Sequence, residues 1–330
     1  MTELKLTEAN LVHLQKFQSL LPQVRHYIRQ LSPAHWPALS SVLSNLTERP
    51  LGSLSILPLA SCAAVGGDPQ TAIPVAAAWE VLNLAMRILD DLQDQDRQSG
   101  LWAEVGAARA FNLSAGLYAL CNQLLAQAPW SDACHRKITQ TFAQTGLRLL
   151  SGQERDLQGS APTFEDYWQI MQAKNAAAFA MVCEAGALCG TEQPDYFKAC
   201  RQFGYHLGMV LQLFDDLQGM WEPIGIGDLA MGKMTFPLLY GLCLEHPAQA
   251  ELQRIWASSN LQAQRDRIIS LLDQLQTREF MVWTALQEQQ QAVEALAACP
   301  GEEGKMALVA YVTTIFRHIE AILPASNETV

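Results

Sequence analysis

The stretch AIPVAAAWEVLNLAMRILDDLQD, residues 72–94, is apolar on nearly every helical face until it reaches a run of aspartates. The stretch FGYHLGMVLQLFDDLQG, residues 203–219, has the same character and repeats the tetrapeptide DDLQ. Segments that are apolar all round are typical of helices buried at the centre of a protein. Acidic pairs are costly in such surroundings unless something compensates their charge. The two stretches therefore predict two central helices, each of which carries a charged site.

Helical periodicity also dominates the rest of the chain, and no segment has the alternating pattern of a strand. Short segments rich in Gly and Pro, such as GGDP at 66–69 and PGEEG at 300–304, separate the predicted helices. Of the 330 residues, 49% are hydrophobic and 17% are charged, which is ample material for a core. No linker-like tract divides the chain. We therefore predict an all-α protein with one domain.

The charge and the cysteines exclude several classes of protein. The net charge of −11 argues against nucleic acid as a partner, because neutralising phosphates needs clustered Lys and Arg. The eight cysteines form no CxxC pair, so we predict that they are small core residues of a cytoplasmic protein rather than zinc ligands. The N-terminus lacks the apolar segment of a signal peptide, and no uninterrupted apolar run reaches the length of a membrane span. We therefore expect a soluble protein without a transmembrane segment.

The first acidic cluster consists of Asp90, Asp91 and Asp94. On a helix, Asp90 and Asp94 stand at i and i+4 and project from one face, while Asp91 lies about 100° further round. One such cluster could also be a solvated helix end. Two clusters inside buried-type helices instead favour sites for divalent cations, because hard oxygen ligands suit Mg²⁺.

The second cluster places Gln212, Asp215 and Asp216 at i, i+3 and i+4, again on one face. Because Mg²⁺ keeps substrate phosphate oxygens among its ligands, these clusters predict a phosphate or diphosphate ligand. Lys174 and Lys233 are candidate cations for that ligand. Each could also be an ordinary lysine whose aliphatic stem lies along apolar surface.

These motifs resemble those of the trans-isoprenyl diphosphate synthases, the polyprenyl synthetase family with the class I isoprenoid synthase fold. DDLQD is similar to the family's DDxxD motif, and FGYHLGMVLQLFDDLQG is similar to its second aspartate-rich helix. DLAMGKMTFPLLYG at 228–241 resembles the DxxxGKxTxP segment, and GQERDL at 152–157 and QAKNAAAF at 172–179 also have family counterparts. The similarity runs from about residue 50 to residue 245. It implies a single-domain helical bundle over 1–330 with a central active-site cavity, N-terminal helices in 1–48 and C-terminal helices in 246–330.

The resemblance also implies a role for each candidate residue. Three Mg²⁺ ions would accompany the diphosphate, and their ligands would be Asp90, Asp91, Asp94, Asp215 and Asp216. The residues expected to bind substrate are Lys174, Lys233, Gln212, Gln153 and Arg97, with Met86 and Leu82 along the prenyl chain beside Ala78, Val81 and Ala85. The expected catalytic residues are Asp90, Asp91, Lys174 and Asp215. A homodimer is expected from the resemblance alone.

The chain departs from the chain-elongating members of that family. Those members carry a GKRxRP motif whose cations bind isopentenyl diphosphate, whereas residues 50–55 read PLGSLS. The Arg pair that follows their DDxxD motif is replaced by Ser99 and Gly100, with only Arg97 nearby, and Gly219 stands where the second motif often has another acid. The parts that hold an allylic diphosphate are thus present, while those that hold a second diphosphate are missing.

This uneven pattern ranks the candidate functions. The first prediction is Mg²⁺-dependent ionisation of an allylic prenyl diphosphate, such as farnesyl or geranylgeranyl diphosphate. Cyclisation or elimination would follow, as in terpene synthases of this fold, or the prenyl group would pass to a non-diphosphate acceptor. The alternative is a polyprenyl diphosphate synthase of geranylgeranyl type that elongates with isopentenyl diphosphate. A third interpretation, from another class, is a catalytically silent subunit that regulates or completes an active one.

Overall fold

The structure is a computed structural model, and it describes residues 8–48, 53–93, 100–159, 163–221, 229, 234–257 and 261–322. Within these ranges every regular element is helical and none is a strand, so the all-α prediction is confirmed. The α-helices are α1 (Glu8–Gln18), α2 (Leu21–Gln30), α3 (Pro37–Glu48), α4 (Ile56–Ala64), α5 (Ile73–Gln93), α6 (Leu101–Val105), α7 (Ala107–Ala126), α8 (Asp132–Leu157), α9 (Phe164–Met171), α10 (Ala177–Leu188), α11 (Pro194–Trp221), α12 (Phe236–Cys243), α13 (Pro247–Trp256), α14 (Arg265–Gln274), α15 (Thr277–Ala295) and α16 (Glu302–Ile322).

The described residues group into two compact units. The first comprises those up to Gly146, together with Ala180–Gly204 and Ala295–Tyr311. The second comprises Leu147–Phe179, those between Tyr205 and Glu294, and those from Val312 onward. Several helices, among them α8 and α11, contribute residues to both units. The single domain expected from the sequence stays a prediction.

The core of the first unit is built around α5, which packs mainly against α7. Most of its residues from Ile73 to Leu82 are buried on all sides, as the first of the two quoted stretches predicts. Ser114 on α7 donates a hydrogen bond of 2.8 Å to the carbonyl oxygen of Ala85. This hydrogen bond satisfies the buried hydroxyl of Ser114 and joins α5 to α7 inside the apolar core.

By length and composition alone, the segment Pro69–Gln93 could cross a membrane. However, 72% of its most apolar window is buried inside the structure, as in the core helix of a soluble protein. The sequence shows no uninterrupted apolar run of that length, because Glu80 and Arg87 interrupt the segment.

Glu80 is the charge that α5 carries into the core, and its side chain is 7% exposed. It accepts a short hydrogen bond from the hydroxyl of Ser55, which immediately precedes α4. Burial raises the pKa of Glu80 above its ordinary value of 4.5, and the Ser55 hydrogen bond opposes that shift only in part. The carboxyl group is therefore easier to protonate in the folded protein than in the unfolded chain.

Small residues let other helices approach α4 closely. A Cβ placed on Gly186 of α10 would lie 2.3 Å from the carbonyl oxygen of Pro58. A Cβ on Gly304 of α16 would lie 2.1 Å from the backbone nitrogen of Ala64. Both distances are too short for a real side chain, so the backbones meet at these positions only because glycine occupies them.

The core of the second unit surrounds the second half of α11. Met209, Val210, Leu213 and Leu217 are all buried there, together with Phe236 of α12. A run of aromatic rings continues from Phe236 outward, and it includes Phe164, Trp168, Phe280 and Tyr240. The apolar character of the second quoted stretch therefore reflects burial, as predicted.

The cysteines follow their predicted role in most cases. Five of the eight are buried, namely Cys62, Cys121, Cys183, Cys200 and Cys299. Cys134 and Cys189 are half-buried, and Cys243 is exposed. Phe111 of α7 is 59% exposed, on a face of that helix that is left open within the first unit.

We predict that Gly186→Ala destabilises the protein by about 1–3 kcal/mol, the usual range for overpacking. The added methyl group would have to displace backbone atoms of Pro58. Helix propensity alone would change stability in the opposite direction, by about 1 kcal/mol in favour of alanine. The sign of the change in the free energy of unfolding, measured by denaturant titration, therefore shows whether overpacking or helix propensity dominates. A variant as stable as the wild type would contradict the close approach.

We predict that Glu80→Gln reduces the dependence of stability on pH. Because the folded pKa of Glu80 is raised, the folded state binds the proton more tightly. The stability linked to that proton is present below the ordinary pKa of a glutamate and is lost as pH rises through the raised pKa of Glu80. Glutamine keeps an acceptor for Ser55 but has no charge to bury. Denaturant titrations at several pH values should give a shallower fall for the variant, and parallel curves would disprove the assignment.

Candidate active site

The first acidic cluster lies at the end of α5, in the first unit. Asp90 and Asp91 are partly exposed there, while Asp94 lies outside the described residues. The backbone returns beside them, since a Cβ on Gly100 would lie 3.2 Å from the Cβ of Asp91. It would also lie 2.6 Å from Cδ1 of Trp102. Gly100 therefore has no room for the cation that the resemblance leads one to expect at that position.

The predicted lining of the prenyl pocket lies along the preceding turns of α5. Ala78, Val81, Leu82 and Ala85 are buried, and Met86 is partly exposed. None of these five side chains carries a ring. They therefore set no aromatic barrier along the length over which the sequence predicts the substrate chain to lie.

The second acidic cluster lies in the second unit, and its two aspartates differ sharply in exposure. Asp216 is 4% exposed, whereas Asp215 is exposed to solvent. The hydroxyl group of Tyr167 lies 3.0 Å from Oδ1 and 2.8 Å from Oδ2 of Asp216. Nε2 of Gln212 donates to Oδ1 of Asp216 over 2.9 Å. Protein donors thus compensate the charge of the buried carboxylate.

A π-helical turn, Gln172–Ala176, joins α9 to α10 beside this cluster. Within it, Lys174 forms an ion pair of 2.5 Å with Asp156, and both side chains are partly exposed. Asn175, the next residue, donates a short hydrogen bond to Oε1 of Gln212. π-Turns in helices are frequent at functional sites, because the extra residue redirects the side chains that follow.

Glycines allow the π-turn to approach the helices that carry the site. A Cβ on Gly208 of α11 would lie 2.7 Å from the Cα of Ala176 and 2.9 Å from the carbonyl oxygen of Asn175. A Cβ on Gly152 of α8 would lie 2.8 Å from the Cβ of Ala173. Gln153, which follows Gly152, is 5% exposed. The turn is therefore packed between two helices at backbone distance.

The end of α11 is fixed just beyond the second cluster. Nε1 of Trp221 donates to Oδ1 of Asp273 over 2.9 Å. Arg278 donates to both oxygens of Asp273 at 2.8 Å, and its guanidinium group lies 5.0 Å from the centre of the Trp221 ring. Such a pair adds a cation–π contact to a charge-assisted hydrogen bond. These contacts hold the helix that carries Asp215 and Asp216.

The structure brings together part of the predicted site. Within the second unit, Gln212 and Asp216 are in direct contact, and Asn175 links them to the turn that carries Lys174. Three predicted residues, Asp94, Arg97 and Lys233, lie outside the described residues. Sequence reasoning missed Tyr167 and Asn175, because their contacts depend on the π-turn, which shifts the side chains away from regular helical spacing.

The donors of the two clusters suit a hard divalent cation. Carboxylate and amide oxygens are the ligands that Mg²⁺ takes in proteins, and Asp215 offers an exposed carboxylate beside a buried one. In the part of the chain that the structure describes, no three His, Cys, Asp or Glu side chains converge on one metal position. That arrangement still fits Mg²⁺, which usually binds through one or two carboxylates, water and substrate phosphates.

The fold is shared with solved structures. A geranylgeranyl pyrophosphate synthetase from Pyrococcus horikoshii aligns with a TM-score of 0.83 and 22% identity, over 94% of this chain and 99% of that one. A geranylgeranyl pyrophosphate synthase from Corynebacterium glutamicum, complexed with calcium and isoprenyl diphosphate, aligns with a TM-score of 0.78 and 22% identity, over 95% and 98%. At these identities the likeness shows the fold alone, and it confirms the isoprenoid synthase bundle that the sequence predicts.

Sequence similarity adds the family. A geranylgeranyl diphosphate synthase from Mycobacterium tuberculosis is 31% identical over 212 residues, which cover 60% of this chain and 60% of that protein. The chain thus spans less than two thirds of the length of this relative. The polyprenyl synthetase family profile matches residues 52–274, which is most of the chain and includes the described parts of both acidic clusters. The protein therefore belongs to the polyprenyl synthetase family.

Proposed function

We propose that this protein is a Mg²⁺-dependent prenyltransferase that joins an allylic prenyl diphosphate to isopentenyl diphosphate and releases diphosphate. The observation that carries the proposal is the convergence of Gln212, Asp216 and the Lys174 turn in a polyprenyl synthetase fold. Chain elongation, which the sequence ranked second, is preferred because the geranylgeranyl diphosphate synthase relative has that activity in its name.

The predicted residues of each unit would have their own tasks in this reaction. Bound Mg²⁺ would supply positive charge to the leaving diphosphate, which lowers the barrier to ionisation. Asp90, Asp91 and Asp215 would hold the ions as partly or fully exposed carboxylates. Lys174 would contact the diphosphate, with Asp156 holding the ammonium group in place until the substrate binds. The buried apolar side chains of α5 would exclude water from the carbocation, which water would otherwise capture.

A second candidate function is supported by the segment 50–55, which carries no cation. Ser55, the last residue of PLGSLS, points its hydroxyl group into the core at Glu80 and presents no charge. Gly100, which replaces an arginine of the family motif, lies beside Asp91 without a side chain. An enzyme that ionises an allylic diphosphate and then cyclises it, or passes it to a non-diphosphate acceptor, needs no second diphosphate site.

We also propose that the protein forms a homodimer. α8 carries three exposed leucines, Leu147, Leu150 and Leu157, with exposures of 72%, 43% and 47%. At a rotation of about 100° per residue they fall on one face of the helix. An apolar stripe of this kind on a soluble protein is typical of a protein interface.

Incubation with Mg²⁺ and geranyl, farnesyl or geranylgeranyl diphosphate, with and without isopentenyl diphosphate, separates the two candidates. We expect a longer prenyl diphosphate that forms only when isopentenyl diphosphate is present, together with released diphosphate. A hydrocarbon or alcohol formed without isopentenyl diphosphate would instead establish the second candidate. Binding without any product would contradict both and favour a silent subunit.

We predict that Asp215→Ala lowers the rate of diphosphate release at least 10-fold, because it removes an exposed carboxylate from the proposed metal site. Asp195→Ala is the matched control, since Asp195 is an exposed aspartate in the first turn of the same helix. The loss should be smaller at raised Mg²⁺ concentration if the defect lies in metal binding. Equal rates for both variants would disprove the role of Asp215.

A further inference from the structure

We propose that Tyr167 and Asn175 are positioning residues that hold Asp216 and Gln212 in one arrangement, so that the cluster presents Asp215 to the metal. The inference rests on the proposed function and extends it to two residues that contact Asp216 and Gln212. It divides the paired aspartates into a buried one that Tyr167 and Gln212 orient and an exposed one that faces solvent. The 4% exposure of Asp216, against the exposed Asp215, is the basis of that division.

The first contact is the hydroxyl group of Tyr167. It lies within hydrogen-bonding distance of both oxygens of Asp216, and Tyr167 is itself 8% exposed. A hydroxyl has one proton to donate, so it bridges the two oxygens rather than satisfying both. The bridge fixes the plane of the carboxylate. Since Tyr167 is packed in the core of the second unit with Met171 and Leu213, the donor cannot easily follow a carboxylate that turns away.

The second contact is a relay of two hydrogen bonds between side-chain amides and the Asp216 carboxylate. Nδ2 of Asn175 donates to Oε1 of Gln212, and Nε2 of Gln212 donates to Asp216. If the Gln212 amide flipped, its oxygen would face the carboxylate and its nitrogen would face a donor. The carboxylate of Asp216, which only accepts, therefore sets the orientation of the Gln212 amide, and Asn175 supports that orientation by donating to the Gln212 oxygen.

Both contacts depend on the π-turn. Tyr167 belongs to α9, which leads into the turn, and Asn175 lies within it. Gly208 brings α11 against Ala176 and Asn175, one helical turn before Gln212. A side chain at position 208 would separate the helix from the turn and lengthen the relay. The π-turn, Gly208, Tyr167 and Asn175 therefore act together to hold Gln212 and Asp216 in place.

Calorimetric titration of the purified protein with Mg²⁺, in the presence of inorganic diphosphate, tests the proposal. We expect Tyr167→Phe to weaken Mg²⁺ binding about 10-fold or more, as the loss of a residue that orients a metal ligand usually does. Tyr240→Phe is the matched control, because it removes a hydroxyl from a tyrosine that stacks on Phe280 in the same unit. The control should bind Mg²⁺ like the wild type.

A purely structural role would lower the melting temperature without metal and leave the Mg²⁺ affinity of the folded protein unchanged. Asn175→Ala provides a second variant, since Asn175 is only partly buried and its loss should not prevent folding. We expect it to weaken Mg²⁺ binding as well, by disordering Gln212. Wild-type affinity in both folded variants would overturn the inference. Absence of Mg²⁺-dependent diphosphate binding in the wild type would overturn the proposed function itself.

Discussion

The site depends on one constraint, the burial of the Asp216 carboxylate among the apolar side chains of α11. An ionised carboxylate in such a place must have donors, or it takes up a proton or destabilises the fold. Tyr167 and Gln212 supply those donors at 2.8–3.0 Å and 2.9 Å. Because these donors also orient the carboxylate, the same hydrogen bonds stabilise the fold and define the geometry of the site. Asp215, one residue earlier, is exposed to solvent.

Close approach of helices makes this solution possible. Gly208 and Gly152 place α11 and α8 against the π-turn at distances that any side chain would prevent. Gly186 and Gly304 do the same around α4 in the first unit. Protein interiors are packed too densely to absorb an added methyl group without cost. The small residues that the sequence shows in these helices are therefore part of how each unit is assembled.

Much of the fold could be predicted from the sequence, because apolar residues on every face of 72–94 and 203–219 have few interpretations other than buried helices. The acidic clusters were likewise visible, since aspartates in such helices need an explanation. The relay through Asn175 could not be predicted, because it depends on a π-turn that no residue pattern marks. Nor could the difference between Asp215 and Asp216, which depends on where Tyr167 lies. Similarity to relatives favours chain elongation, whereas the absence of cations at 50–55 favours cyclisation or transfer to a non-diphosphate acceptor.

We infer that Tyr167 and Gln212 orient Asp216 while Asp215 faces the metal. A crystal structure of the protein with Mn²⁺ in place of Mg²⁺ and with inorganic diphosphate, in which anomalous scattering locates the metal, tests this division of roles. We expect a metal peak about 2.0–2.2 Å from a carboxylate oxygen of Asp215, close to the distance of Mg²⁺ from its ligands. We also expect the Tyr167 hydroxyl group to stay bonded to Asp216. Metal bound to Asp216 with Tyr167 displaced, or no metal at this cluster, would contradict this division.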